Sequence, residues 1–146
     1  MNDIYYFAYG MNTNIDGMAG RCPGAESLGH AVLEDYRFRF AVHADVVKCK
    51  ASKVDGVLWR ISTNHLVSLD GLEGYPYYYD RAEVDVVYQG KTIKAITYFM
   101  QPGNSVKEPG DGYLNNVLEG YARNNVPTEQ VHRALSVAKK QHYFVA

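Results

Sequence analysis

Apolar and polar positions change period several times along the chain, and each change marks an element. Residues 3–9, within MNDIYYFAYG, are apolar or aromatic on both faces, which predicts a buried strand. Residues 14–20 allow a short helix capped by Asn14 and ended by glycines and RCPG. Two strand patterns follow between 28 and 50. In YRFRFAV, Tyr36, Phe38, Phe40 and Val42 alternate with Arg37 and Arg39. DGVLWRI at 55–61 predicts another strand, entered through an Asp-Gly turn. The period then lengthens. Ser62 or Thr63 can cap a helix that carries Leu66, Leu69 and Leu72 on one face, and Gly74 and Pro76 stop it. Residues 77–100 alternate on both sides of a short Gln-Gly-Lys turn, which predicts a hairpin. Beyond a Gly/Pro loop at 101–112 lie two helical stripes. One is Leu114, Val117, Leu118 and Tyr121; the other is Val131, Leu135 and Ala138, with Thr128 as a cap and lysines at its end.

Five to seven strands, one interposed helix and two closing helices predict an α+β fold. Its expected form is a small closed or nearly closed mixed β-barrel with short flanking helices, one domain over 1–146. At 146 residues, with 47% hydrophobic side chains, such a chain can bury a core without staples. A formal net charge of −1 leaves no electrostatic footprint for nucleic acid or an anionic membrane. No signal-like N-terminus or span-length apolar run is visible, so the expectation is a soluble cytoplasmic protein. Cys22 and Cys49 have no zinc-ligand spacing and read as two reduced thiols, with a single disulfide left open. The five histidines form no HxxxH pair, and there is no GxSxG. Thirteen tyrosines against five phenylalanines change the picture more, because a packed phenol still wants a hydrogen-bond partner and points to polar-lined cavities.

Two stretches carry candidate chemistry. The first, YYFAYGMNTN, ends a strand at Tyr9-Gly10 and runs irregularly through Met11, Asn12 and Thr13. Gly10 permits close approach to the main chain, and amides before a helix at Asn14 suit a carboxylate or phosphate. A plain strand-to-helix turn needing a glycine explains the same residues. The second, LDGLEGYPYYYDR, sets Asp70 and Glu73 in the last turn of a helix, where the dipole favours cations. Between Arg60 and Arg81 no Lys or Arg compensates, and Tyr75, Tyr77, Tyr78 and Tyr79 follow at once. A carboxylate so placed should have a raised pKa, as a proton shuttle near neutrality requires. A solvated Glu73 before a turn, with Asp70 paired to Arg81, is the structural alternative. Tyr88, Tyr98 and Tyr121 read as packing.

Several motifs in order resemble the gamma-glutamyl cyclotransferase superfamily, which includes gamma-glutamylamine cyclotransferases and the plant avirulence-induced-like proteins. Tyr9-Gly10-Met11-Asn12-Thr13 is similar to the family's Tyr-Gly-Ser-Asn-Leu, and Leu69 to Gly74 matches its LDxxEG. Pro76, Tyr79 and Arg81 resemble the P…Y-x-R that follows. GVLW before the helix and Tyr113-Leu114 through Gly120-Tyr121 are also shared, so the likeness runs from 4 to about 125. Met11 stands for the usual Ser and Thr13 for Leu. Backbone-mediated binding tolerates Met11; a need for the Ser hydroxyl would mean another substrate or lost activity.

The resemblance implies a small gamma-glutamyl substrate cyclised to 5-oxoproline with release of an amine or amino acid. It implies Glu73 as the proton shuttle, and Tyr9 to Thr13 with Tyr79 and Tyr113 as substrate-binding residues. Arg81 would brace Asp70 or another carboxylate, and loops 43–54 and 101–112 would form the outer pocket wall. No metal or organic cofactor is expected; the partner is the substrate alone, and the protein would be a monomer or homodimer. A non-catalytic ligand-binding or partner-binding module on the same fold is the alternative.

Overall fold

The computed structural model describes residues 3–144. Strand β1 (Ile4–Ala8) leads into a 3-10 turn (Met11–Thr13) and helix α1 (Ile15–Arg21). Two long strands, β2 (Glu26–Ala41) and β3 (His43–Ile61), precede helix α2 (Thr63–Glu73). The hairpin β4 (Tyr79–Tyr88) and β5 (Lys91–Met100) and helices α3 (Asp111–Arg123) and α4 (Glu129–Phe144) complete the chain.

The strands close into a barrel in the order β1-β3-β2-β4-β5. All neighbours are antiparallel except the seam, where β1 meets β5 in parallel at Tyr6 and Ile96. The Thr97 hydroxyl ties that seam by donating to the Phe7 carbonyl at 2.9 Å. Phe7, Phe40, Leu33, Val54, Val57, Leu58 and Val86 fill the fully buried core. Closure pairs β1 with β5, so neither ends the sheet as a free edge strand.

Three sequence expectations change. Val42 does not continue its strand: it takes φ 68° as the single link between β2 and β3. Asp55-Gly56 is no turn but the middle of β3, paired with Val32 and Ala31. Gly56 is needed there because a Cβ would stand 2.4 Å from the Ala8 carbonyl oxygen of the neighbouring strand β1. The bend that the dipeptide suggested falls a few residues earlier, at a register shift opposite Asp35, whose carboxylate caps the Ala51 N–H at 3.1 Å. Segment 43–54 is therefore strand and not loop, and the described residues form five strands. The Gln89-Gly90 turn of the β4–β5 hairpin has the two positive φ values, 47° and 76°, that suit a twisted two-residue link.

Helix ends follow local chemistry. Asn14 caps α1 by accepting from the Gly17 N–H, and Ser62 caps α2 in a reciprocal box with His65. Gly74 ends α2 in the left-handed conformation, its N–H returning to Asp70 and Gly71 carbonyls. Of the leucines expected on one face of α2, Leu69 is fully buried while Leu72 is 44% exposed.

Candidate active site

The end of β1, the end of α2 and the starts of β3, β4 and α3 converge on a cavity of about 160 Å³. That is room for a small ligand or several waters. The 3-10 turn that floors it is clamped by α3. Asn124 donates to the Thr13 carbonyl and Asn14 donates to the Asn116 carbonyl, at 3.0 and 3.1 Å. Gly120 lets the helix come so close that a Cβ would lie 2.2 Å from the Thr13 hydroxyl. The turn is thus held from behind.

Glu73 sits in the last turn of α2 and lines this cavity. Its Oε1 accepts from the Asn12 amide at 3.1 Å, and that amide also reaches the Tyr6 hydroxyl at 3.0 Å. The Asn12 carbonyl oxygen in turn accepts from Arg21 at 3.3 Å. One Glu73 oxygen is fixed by this chain. Burial pushes the Glu73 carboxyl up to about 7, against the lowering pull of the Arg21 guanidinium and the Asn12 hydrogen bond. The compensating cation, sought in vain between 60 and 81, comes from α1.

Six phenols line the cavity, and their hydroxyl protons are allotted differently. Tyr9 donates to the Tyr98 carbonyl at 2.7 Å, Tyr79 to the Ala44 carbonyl at 2.6 Å, and Tyr98 to Asp70 at 2.7 Å. Those protons are committed to the protein. Tyr113 instead accepts from the Ala44 N–H at 3.0 Å and from the Met11 N–H, and Tyr6 accepts from Asn12. A hydroxyl that only accepts keeps its own proton for a neighbour. Tyr6 and Tyr113 are therefore the donors free to meet a ligand. Burial raises both; the two backbone N–H groups hold Tyr113 to about 12. The sixth, Tyr78, shares a proton with His43, whose Nδ1 is 2.9 Å from the hydroxyl.

The peptide of Ala44 thus orients two phenols, through its carbonyl and its N–H. Its own position is set by Asp45, which accepts from the Met100 N–H and from Arg39 at 2.8 and 2.7 Å. The loop before α3 adds a strap: the Val42 N–H donates to the Lys107 carbonyl and the Lys107 N–H to the Phe40 carbonyl, each at 3.1 Å.

Residues 6–130 match the family described as "Gamma-glutamyl cyclotransferase, AIG2-like". The chain belongs to that family. It is 30% identical to the gamma-glutamylcyclotransferase of Bos taurus, over 90% of this chain and 77% of that one. The Homo sapiens gamma-glutamylcyclotransferase is also 30% identical, over 85% and 73%. A solved gamma-glutamyl cyclotransferase structure superposes with a TM-score of 0.82 at 26% identity, covering 91% of this chain and 86% of that one. These relatives indicate an enzyme of the gamma-glutamyl cyclotransferase family.

Of the residues singled out in this family member's sequence, Glu73, Tyr9, Gly10, Met11, Asn12, Tyr79 and Tyr113 all line the cavity. Thr13 does not. It is fully buried, its hydroxyl donating to the Gly10 carbonyl at 2.8 Å and its N–H to the same oxygen at 3.1 Å. Gly10 is required by the protein itself, since a Cβ there would stand 2.9 Å from the Ala44 Cβ and 3.0 Å from the Tyr113 hydroxyl. Arg81 braces Asp70 with two hydrogen bonds, 2.9 and 3.3 Å, and lies over the Tyr75 ring. Tyr98, read as packing, lines the cavity while bonding Asp70; Tyr121 packs behind, its hydroxyl on the Tyr9 carbonyl at 2.6 Å. Loop 101–112 contributes no lining residue. Sequence reasoning missed Tyr6 and Leu72, and of the 43–54 stretch expected at the outer wall only His43 and Ala44 line the cavity. Tyr6 carried a signal, as a second phenol in the first strand.

Proposed function

We propose that this chain cleaves gamma-glutamyl amides without water, the substrate's own α-amine attacking its γ-carbonyl. The observation that carries this reading is Glu73. It is a carboxyl raised to about 7, fixed at one oxygen, and facing a cavity lined by phenols and by the main chain of the Tyr9-Asn12 turn. A group half-ionised near neutrality accepts and returns a proton with equal ease.

The steps balance through that group. The glutamyl end binds against the Gly10-Asn12 backbone, where the Thr13 and Met11 N–H groups are already used and those of Gly10 and Asn12 remain. The Glu73 carboxylate takes a proton from the α-amine as its nitrogen bonds to the γ-carbon. The Tyr113 hydroxyl, pinned by two backbone N–H groups, donates to the oxygen that becomes anionic. Collapse breaks the bond to the departing nitrogen, which receives the proton from Glu73. The products are 5-oxoproline and the free amine. Because nucleophile and electrophile are one molecule, holding the glutamyl chain folded supplies much of the acceleration.

The test is incubation with a panel of gamma-glutamyl amino acids and amines, measuring 5-oxoproline. The expected result is turnover that falls about 10²–10⁴-fold in Glu73→Gln, the usual contribution of a general acid–base group. Full rate in Glu73→Gln overturns the proton-shuttle role. A folded wild type inert on the whole panel replaces the enzyme reading with a ligand-binding module.

A further inference from the structure

His43 belongs to no part of the mechanism above, yet it lines the cavity. It is the first residue of β3, half-buried, directly after the strained Val42 link. Its ring meets Tyr113 edge-on at 5.0 Å and Tyr78 at 5.9 Å, and Tyr78 in turn stands edge-on to Tyr79 at 4.9 Å. The imidazole is wedged between two phenols, Tyr78 and Tyr113, with the half-exposed Leu72 also lining that cavity. With its glutamyl end along the Gly10-Asn12 turn, a substrate would meet this wall with its amide substituent.

We propose that His43 contacts the leaving group and sets its specificity, favouring leaving groups that bring no carboxylate against the imidazole. This rests on the reading of the site as a gamma-glutamyl cyclotransferase centre. Three observations support it. Among the described residues no Lys or Arg lines the cavity; Arg21 borders a separate hollow beyond Met11 and is engaged with Asn12. Nothing cationic therefore waits for a leaving-group carboxylate. Second, the His43–Tyr78 bond consumes one of the pair's two mobile protons, whichever ring donates, and leaves one uncharged donor for a neutral amide or hydroxyl. Third, burial lowers the His43 pKa from its usual value, so the ring is neutral at and above pH 7.

The charged and titratable groups around His43 are Asp45 on its own strand, Glu73 on α2, Tyr78 and Tyr79 at the start of β4, and Tyr113 on α3. Of these the phenols stay protonated, and Glu73 acts on every substrate alike. A ratio of two substrates cancels its titration.

The probes are gamma-glutamyl-alanine and gamma-glutamyl-alaninamide, which differ in one charge on the leaving group. The quantity read is the ratio of their kcat/KM values, compared between proteins so that intrinsic leaving-group reactivity cancels. His43→Arg should move the ratio toward the alanine substrate about tenfold, the size of one hydrogen bond to a charged group. His43→Gln, an uncharged donor, should hold it near the wild-type value. Wild type needs no substitution for the second arm: acidification far enough to protonate the ring should draw the ratio toward alanine, and above pH 7 the ratio should be flat. An unchanged ratio in a folded His43→Arg, or a wild-type ratio that stays flat down to the lowest pH at which the protein remains folded, overturns the inference while leaving the cyclotransferase reading intact. Wild type inert on both substrates overturns that reading and this inference together.

Discussion

Glu73 couples stability to chemistry at the level of one residue. Its carboxyl titrates at 4.5 when unfolded and at about 7 when folded, mainly because burial disfavours the anion. Between those values the native state holds a proton that the unfolded chain has released, so stability falls as pH rises and levels off above 7. The gap corresponds to a cost of about 3 kcal/mol at alkaline pH. Glu73→Gln should therefore melt higher than wild type at pH 8 and nearly level with it at pH 4, measured by thermal scans across that range. Gly10→Ala should lose on both counts. Its Cβ would press on Ala44 and on the Tyr113 hydroxyl, and overpacking of this kind costs about 1–3 kcal/mol. Turnover should drop as well if the displaced phenol serves as the donor proposed above. The placement of Glu73 at a helix end followed by aromatic rings was legible in LDGLEGYPYYYDR, where Tyr78 and Tyr79 supply part of the burying wall. Arg21 and Tyr6 were not, because each arrives from an element whose direction only the closed barrel determines.

Elements are positioned by a few side chains that satisfy backbone groups at their ends. Helix α3 reaches the 3-10 turn through Asn124, Asn14 and the bare face at Gly120. Gly120→Ala should destabilise by about 1–3 kcal/mol in denaturant titrations, since the obstructing atoms include the Thr13 and Asn14 backbone, which cannot rotate away. Its propensity gain over glycine in a helix is smaller, about 1 kcal/mol. On the other side of the site, Asp70 receives Arg81 and Tyr98, tying α2 to both strands of the β4–β5 hairpin. Asp70→Ala strands a buried phenol proton and a guanidinium, and a loss of about 2–4 kcal/mol follows from those two unpaired donors. Helix positions and the hairpin were readable because their caps, stripe and two-residue turn are short-range signals. The long β2–β3 pair was misread at two points. A one-residue reversal at Val42 has no glycine to announce it, and Asp55-Gly56 imitates a turn while serving a close approach between β3 and β1.

For the molecule as a whole, closure decides what exists. Strand count and alternation foretold a small barrel, yet the order β1-β3-β2-β4-β5 and the parallel seam depend on pairings between residues some ninety positions apart, which no local pattern encodes. The seam is narrow, and Thr97→Val, which removes the hydroxyl bond to the Phe7 carbonyl, should cost about 1–2 kcal/mol by denaturant unfolding. The same seam splits the cavity between distant parts of the chain: Tyr6, the Gly10-Asn12 turn and Glu73 lie before the Gln89-Gly90 turn, Tyr98 and Tyr113 after it. Cut at that exposed turn, neither fragment carries the whole cavity wall. Mixing the two pieces would make product formation a direct count of reassembled barrels.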